Sequence, residues 1–369
     1  MSNSENPYVS PGMPPLTLGR RQSFFEFWPL WLMYLPVAIQ WLFLALRYRS
    51  LTLPLIANPS LPLSGMVGIP KSTLLRQASG SLQETILPWY VTHKTNEPEA
   101  TQAIKLMAQL KDKGITLPFV CKPDIGCRGA GVKLIKDKNA LIEVLHHYST
   151  GAAIQCQKLS DYEPEAGIFY VRDPDSHQGR IISMAFKYMP YVVGDGRRTL
   201  KELLADDPRA GELLHLYQHR HQANWDKVIP ENEPYRLVFS ASHSKGAIFK
   251  DAAECITPEL TQALDHLMQQ LPDFHYGRLD VKFQNVDELK AGRSLQIVEI
   301  NTASSESLHI WDSNTSFSEA IRALLLQYRL LFRFGAKTRQ RGAKPPGLVS
   351  LIKHWQLERT LTRRYPETD

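Results

Sequence analysis

The sequence predicts an α+β protein built as two lobes, and three observations carry that prediction. Apolar residues recur at helical spacing in some segments and alternate in others, and the two kinds are mixed along the chain. Two short strand candidates, 278–283 and 295–300, each carry polar residues on one face. A glycine-rich loop at 126–131 joins two further strand candidates, as a hairpin would. At 369 residues the chain can bury a substantial core in two or three subdomains.

The elements follow in order. Residues 1–22 are polar and proline-rich and end in Arg20 and Arg21, which predicts a disordered lead-in. Segment 23–50 contains an uncharged run from Phe27 to Leu46, close to the ~20 residues that span a bilayer. Trp28, Trp31, Tyr34 and Trp41 suit a membrane interface, and Arg47 and Arg49 close the run as a cytoplasmic flank would. Pro29, Pro36 and Gln40 should break or kink this helix. The expectation is a membrane-seated helix, spanning or interfacial, with a buried core helix as the alternative. No A-x-A-like cleavage site follows, which speaks against a removable signal peptide.

Residues 51–115 form a reduced N-terminal region, looped over 50–70 and helical over 98–113. Residues 116–190 form one subdomain, with strands at 117–122, 132–135, 152–157, 167–172 and 180–188 and a helix at 138–147. Residues 191–335 form a second, with helices at 200–204, 211–222, 258–271 and 318–334 around the polar strand pair. Residues 336–369 are a basic tail or helix. A solvated face is the ordinary reading there, with an anionic membrane surface or RNA as the alternatives. A formal charge of +6 is a mild excess, so no nucleic-acid partner is expected. Cys121, Cys127, Cys156 and Cys255 lack C-x-x-C spacing, which argues against a disulfide framework or zinc and for a reducing compartment.

Two glycine-containing stretches fail the common phosphate-loop patterns. In Gly65–Ser72 the glycine that should precede the lysine is Pro70, which has no N–H for a phosphate. Gly126, Gly129 and Gly131 are spaced G-x-x-G-x-G and precede a strand, where a dinucleotide fold needs a helix. A glycine hairpin can instead fold over phosphates and donate backbone N–H groups, with Lys122 supplying a point charge. Alternation places Arg278, Asp280 and Lys282 on one face, and Glu299 and Asn301 on one face of the next strand. If the strands pair antiparallel, Asp280, Glu299 and Asn301 converge as hard oxygen ligands of the kind Mg²⁺ prefers.

These residues resemble the ATP-grasp superfamily, specifically its D-alanine–D-alanine ligase-like and cyanophycin-synthetase-like branches. LPFVCKPDIGCRGAGV is similar to that family's lysine strand and lid, and GRLDVKF with LQIVEINTASS to its metal-binding strands. VVGDGRRTLKELL, Val192–Leu204, resembles an element of its amide-forming members. The resemblance implies two α+β lobes enclosing ATP. It makes Lys71 and Lys122 phosphate-binding lysines, and it makes the loop, with Gly126, Arg128, Gly129 and Gly131, a lid. It makes Gln155–Leu159 the adenine hinge, including Gln157, Lys158 and Leu159, and Glu165 (or Glu163) the ribose ligand. Lys187 would touch the triphosphate, and Arg278 would stabilise the reacting acyl group. Asp280, Glu299 and Asn301 would bind two Mg²⁺, or Mn²⁺.

The hinge departs from the family in carrying Gln155 and Gln157, and the Thr-Ala-Ser-Ser-Glu run after Asn301 departs at the substrate end. The activity implied is an ADP-forming carboxylate–amine ligase acting on small-molecule substrates; the hydrophobic segment alone adds the expectation of a lipid-like substrate and of a place in the cytoplasm or on the cytoplasmic face of the membrane. An ATP-grasp kinase and a non-catalytic nucleotide-binding scaffold are the alternatives. His243 with Lys245, and His309 with Asp312, lie where substrate would enter. The pair at 243–245 reads as structural, and the pair at 309–312 as a substrate contact.

Overall fold

In the computed structural model, which describes residues 8–16, 29–126, 129–207, 210–240, 246–366 and 368, the first element is helix α1, Leu30–Tyr48. The helix starts after Pro29 and continues through Pro36, where sequence predicted a break or a kink. Pro36 lacks only its own N–H, and packing of the helix on the body supports the remaining turns. Two 3₁₀ turns, Leu53–Ile56 and Pro62–Gly65, fill the expected looped stretch. They lead to short helices α2 (Lys71–Leu75) and α3 (Gly80–Thr85).

The first lobe comprises β1 (Trp89–His93), α4 (Glu99–Asp112), β2 (Phe119–Pro123), β3 (Lys133–Ile135), α5 (Lys138–His147) and β4 (Ala153–Lys158). Its sheet runs β1-β4-β2-β3, antiparallel throughout. One face buries Phe119, Ile135 and Ile154 against Leu106 and Leu110 of α4 and Leu141 and Leu145 of α5. Asp137 starts α5 by accepting from the Ala140 N–H, so that helix begins where sequence placed it.

The second lobe is a five-stranded antiparallel sheet ordered β11-β10-β5-β6-β9. In chain order it is built from β5 (Glu165–Val171) and β6 (Arg180–Tyr188). An excursion follows, of β7 (Tyr191–Val193), α6 (Leu200–Asp206), α7 (Leu214–Arg220) and β8 (Pro234–Arg236). The lobe is completed by β9 (Ile248–Asp251), α8 (Pro258–Met268), β10 (Tyr276–Phe283), α9 (Val286–Lys290) and β11 (Leu295–Asn301). Leu260, Leu264 and Met268 of α8 pack on Ile168, Leu279 and Ile297 in the main core. The excursion has its own small core around Leu204, Tyr217 and Leu237.

Helix α10, Phe317–Gln340, is longer than sequence predicted and starts with a capping box between Ser316 and Glu319. Helix α1 lies along α10 and runs parallel to it. Met33 and Val37 pack with Ala320 and Leu324, the Trp41 ring lies 5.1 Å from Phe332, and Arg339 donates to the Tyr48 carbonyl. The other side of α1 is open: Trp31 is 69% exposed, Ile39 62%, Phe43 62% and Leu46 80%. Helix α11, Leu348–Thr362, ends the fold and buries none of its residues.

Four sequence expectations change here. Residues 8–16, assigned to a disordered tail, are described and packed: Leu16 is buried in the main core, and the Tyr188 hydroxyl donates to the Pro14 carbonyl. Strand β1 and α4, expected in a separate 51–115 region, complete the first lobe. Strands β5 and β6, expected in the 116–190 subdomain, belong to the five-stranded sheet. Local periodicity identifies a strand but not its partner, so boundaries drawn from sequence fell between paired strands. The 211–222 helix is also broken, into a 3₁₀ turn at Ala210–Leu213 followed by α7.

Candidate active site

Strands β10 and β11 pair antiparallel with Asp280 opposite Glu299 and Arg278 opposite Asn301. Directly opposed residues project to the same side, so these four side chains share one face. The register shifts at one point: Val281 pairs with Ile297, leaving Val298 as an extra residue in β11. On the other flank of β10, Lys282 is opposite Glu165 and Asp280 is opposite Gly167. A Cβ at Gly167 would meet the Leu308 side chain at 2.5 Å, so the glycine leaves room beside Asp280.

A dense ion cluster forms on this face. Lys187 reaches Glu165 at 2.8 Å and Asp280 at 2.9 Å, and Lys282 reaches Glu165 at 3.2 Å. Arg278 grips Asp280 with two N–H groups, at 2.9 and 3.2 Å, and donates a third to the Glu306 carbonyl at 3.1 Å. Asn301 donates its amide to Asp280 at 3.1 Å. Burial opposes ionisation of Asp280, but Arg278 and Lys187 overcome it and hold the carboxyl down at about 2. Burial likewise works against Lys187, and the Asp280 and Glu165 carboxylates raise it above the ordinary lysine range.

Two more lysines border this cluster, Lys122 from the first lobe and Lys71 from α2. Lys122, on β2, donates to Gln157 Oε1 at 2.8 Å and approaches the Val298 carbonyl at 3.4 Å. Gln157 Nε2 donates to the same carbonyl at 3.2 Å, so the bulged residue ties the two sheets together. Burial pushes the Lys122 ammonium down, with Glu299 pulling it up and Lys71 adding to the fall. Lys71, at the start of α2, lies 3.8 Å from Glu299 and donates to the Gly126 carbonyl at 2.6 Å. Asp124 fixes α2 by accepting from the Ser72 N–H and hydroxyl, at 2.8 and 2.6 Å.

These groups border a cavity of about 1590 Å³ between the lobes. Lys71, Lys122, Gly126, Gly129, Gln157, Lys158, Leu159, Glu165, Lys187, Arg278, Asp280, Glu299 and Asn301 all line it. Gly131 does not. Its φ of +71° suits glycine, and it sits against Pro123 and Tyr365 at the root of the loop. Arg128 and Cys127 lie outside the described residues, as do His243 and Lys245. Glu165 is held by two lysines, while the Glu163 carbonyl accepts from Lys282. Gln155 is fully buried, and neither of its amide atoms has a partner among the described residues.

One expectation fails on geometry. Asp312 is buried against Lys250 at 3.0 Å and the Asp251 N–H at 2.8 Å, and His309 bonds Ser183 at 2.7 Å. Neither borders the cavity. The Val192–Leu204 element is a turn and a helix start. Asp195 accepts from the N–H groups of Arg197 and Arg198, and Thr199 forms a capping box with Glu202. Sequence reasoning missed Trp31 and Tyr34 of α1, Glu306, Trp311 and Arg236, all of which line the cavity. No local pattern marks them.

The C-terminal segment closes over the glycine loop. Glu358 of α11 accepts from the Gly68 N–H at 2.7 Å, the Tyr365 hydroxyl donates to the Ile125 carbonyl at 2.6 Å, and Thr368 donates to the Gly129 carbonyl at 2.7 Å.

Asp280, Glu299 and Asn301 form a side-by-side set of hard oxygen donors, which fits Mg²⁺. Leu87, Val120 and Leu134 give the cavity an apolar wall suited to a flat base, with Lys71, Lys122 and the loop glycines on the side where phosphates would lie.

No protein-family model matches the chain, and no curated protein sequence does. Solved structures similar to it include a D-alanine–D-alanine ligase from Bacillus anthracis, 13% identical over 75% of this chain and 70% of that one, with a TM-score of 0.42. A D-cycloserine synthetase is 12% identical over 71% of this chain and 70% of its own, with a TM-score of 0.38. A bifunctional glutathione synthetase from Pasteurella multocida is 14% identical over 70% of this chain, with a TM-score of 0.36, and the match spans only 36% of that protein. These likenesses are distant, so the reading of the site rests on the chain's own residues. The lysine strand, the glycine hairpin and the Asp280–Glu299 strand pair face one another across a single cavity.

Proposed function

We propose that the protein is an ADP-forming, ATP-dependent carboxylate–amine ligase of the ATP-grasp kind, working through an acyl phosphate. The observation that supports this most directly is one cavity in which Asp280, Glu299 and Asn301 face Lys71, Lys122 and Lys187. A carboxylate is a poor electrophile. When its oxygen takes the terminal phosphoryl group of ATP and ADP leaves, the acyl carbon becomes open to an amine.

Asp280, Glu299 and Asn301 would hold Mg²⁺, which when bound supplies charge neutralisation at the phosphates. Asn301 would turn its amide oxygen toward the ion. Lys71 and Lys122 would bind phosphate oxygens as point charges, and the glycine loop would exclude water from the acyl phosphate. Arg278, already aimed along the sheet face by Asp280 and the Glu306 carbonyl, would face the charge developing on the acyl group.

The apolar outer face of α1, flanked by Arg47 and Arg49, supports seating on the cytoplasmic surface of an anionic membrane and an amphiphilic substrate. Because the inner face is packed along α10, the helix would lie in the interface rather than span it.

The test is a screen of carboxylic acids crossed with amines, read as Mg²⁺-dependent ADP release and by mass spectrometry of products. Amide formation with ADP supports the ligase. A stable phosphorylated product without amide would make the protein a kinase, and nucleotide binding without turnover would make it a scaffold.

A further inference from the structure

Glu306 is a half-buried carboxylate on the cavity wall, next to the end of Arg278. The Tyr34 hydroxyl donates to one carboxylate oxygen, and Trp311 Nε1 donates to the other at 3.2 Å. Both donors are neutral. Among the described residues no cation forms an ion pair with Glu306. The nearest guanidinium, that of Arg278, is committed to the Asp280 carboxylate and the Glu306 backbone carbonyl. A half-buried carboxylate whose hydrogen bonds come only from neutral donors keeps a second lone pair on each oxygen for a cationic ligand. The surrounding wall is apolar and aromatic, made by Trp31, Tyr34, Leu308 and Trp311. Trp31 belongs both to this wall and to the exposed apolar face of α1 that continues through Leu35, Ile39 and Leu42.

We infer that Glu306, oriented by Tyr34 and Trp311, is the binding residue for the ammonium group of the amine acceptor, and that the acceptor is an amphiphile whose apolar chain leaves the cavity past Trp31 along α1. This rests on the ligase reading for its place in the reaction. Glu306 holds the cationic head beside Arg278, where the acyl phosphate would lie. Once the ammonium has lost a proton to solvent, the nitrogen lone pair attacks the acyl carbon, the C–O bond to phosphate breaks, and inorganic phosphate leaves. Helix α1 thus contributes directly to the acceptor site through Tyr34.

Binding and chemistry are tested separately on the full chain. Calorimetry compares n-octylamine, n-dodecylamine and n-octanol, without turnover. The wild type is expected to bind octylamine at least tenfold more tightly than octanol, and dodecylamine more tightly than octylamine. Glu306→Gln should bring octylamine to within about twofold of octanol while ATP affinity is retained, since one charge–charge contact of this kind carries about a tenfold effect. Trp31→Ala should shrink the gain from octylamine to dodecylamine. Equal octylamine affinity in wild type and Glu306→Gln would overturn the inference, as would indifference to chain length in the wild type.

Should Glu306→Gln lose ATP binding and hence the fold, Glu306→Asp decides. A preserved amine preference supports the site, and equal binding of amine and alcohol removes it. Hydroxylamine trapping of the acyl phosphate, with ATP and acid alone, probes the ligase reading independently. Failure there leaves amine binding at Glu306 as a separate result.

Discussion

Asp280 accepts from Arg278 and Asn301, contacts Lys187, and faces Glu299, so one carboxylate organises most of the sheet face. Asp280→Asn and Glu299→Gln are each expected to lower Mg²⁺-dependent ADP release by at least about 10²-fold. Normal turnover in either variant would remove the proposed site. Lys122→Ala should weaken ATP binding about tenfold, roughly 1.4 kcal/mol, which a direct titration would detect. The grouping of these residues was readable in the sequence because a period of two puts Asp280 with Arg278, and Glu299 with Asn301. Glu306 was not readable, since its meaning comes from Tyr34, 272 residues away, and no local spacing encodes that contact.

At the level of elements, α1 has two faces with different tasks. Ile39→Glu together with Phe43→Glu should leave the fold and ATP binding intact while abolishing co-sedimentation with anionic lipid vesicles. Retained co-sedimentation would exclude α1 as the membrane contact. Deleting residues 1–49 is a poorer test, because it strips Met33, Val37 and Leu44 from buried positions against α10 and its neighbours, and a loss of stability is expected. Sequence identified this helix by its missing charges, but not the packed face, which depends on α10 nearly 300 residues later.

The glycine loop has a similar division. Gly131→Ala places a Cβ 2.8 Å from Pro123 Cγ at a φ of +71° and should cost about 1–2 kcal/mol. The lowered melting temperature would show it. The strand–loop–strand pattern was visible from glycine spacing, whereas its closure by Tyr365 and Thr368 was not.

For the molecule as a whole, His275 links stability to pH. It precedes β10 with its N–H bonded to Asn58 at 2.8 Å, and burial pushes its imidazole down to about 4, with Arg172 adding to the fall. The unfolded chain therefore takes up this proton first as pH drops. Its contribution is present above about 6.5 and is lost as pH falls toward 4. His275→Leu should flatten that part of a stability–pH curve measured by urea titration, and an unchanged slope would contradict the assignment.

The α+β class and nearly every long element followed from periodicity. Which strands pair did not, because pairing is settled by contacts between distant segments.

That pairing has one further consequence, at Val298. Were Val298 paired in register instead of bulged, the alignment of Val281 with Ile297 would continue and set Asp280 opposite Val298. Glu299 would then point to the far side of the sheet. The bulge, and not a reactive group, therefore keeps the two carboxylates side by side: ironing it out with Val298 retained would separate them, whereas deleting Val298 with it would leave Asp280 opposite Glu299. Setting the two carboxylates side by side thus depends on where the backbone bulges, and not only on which residues the strands carry.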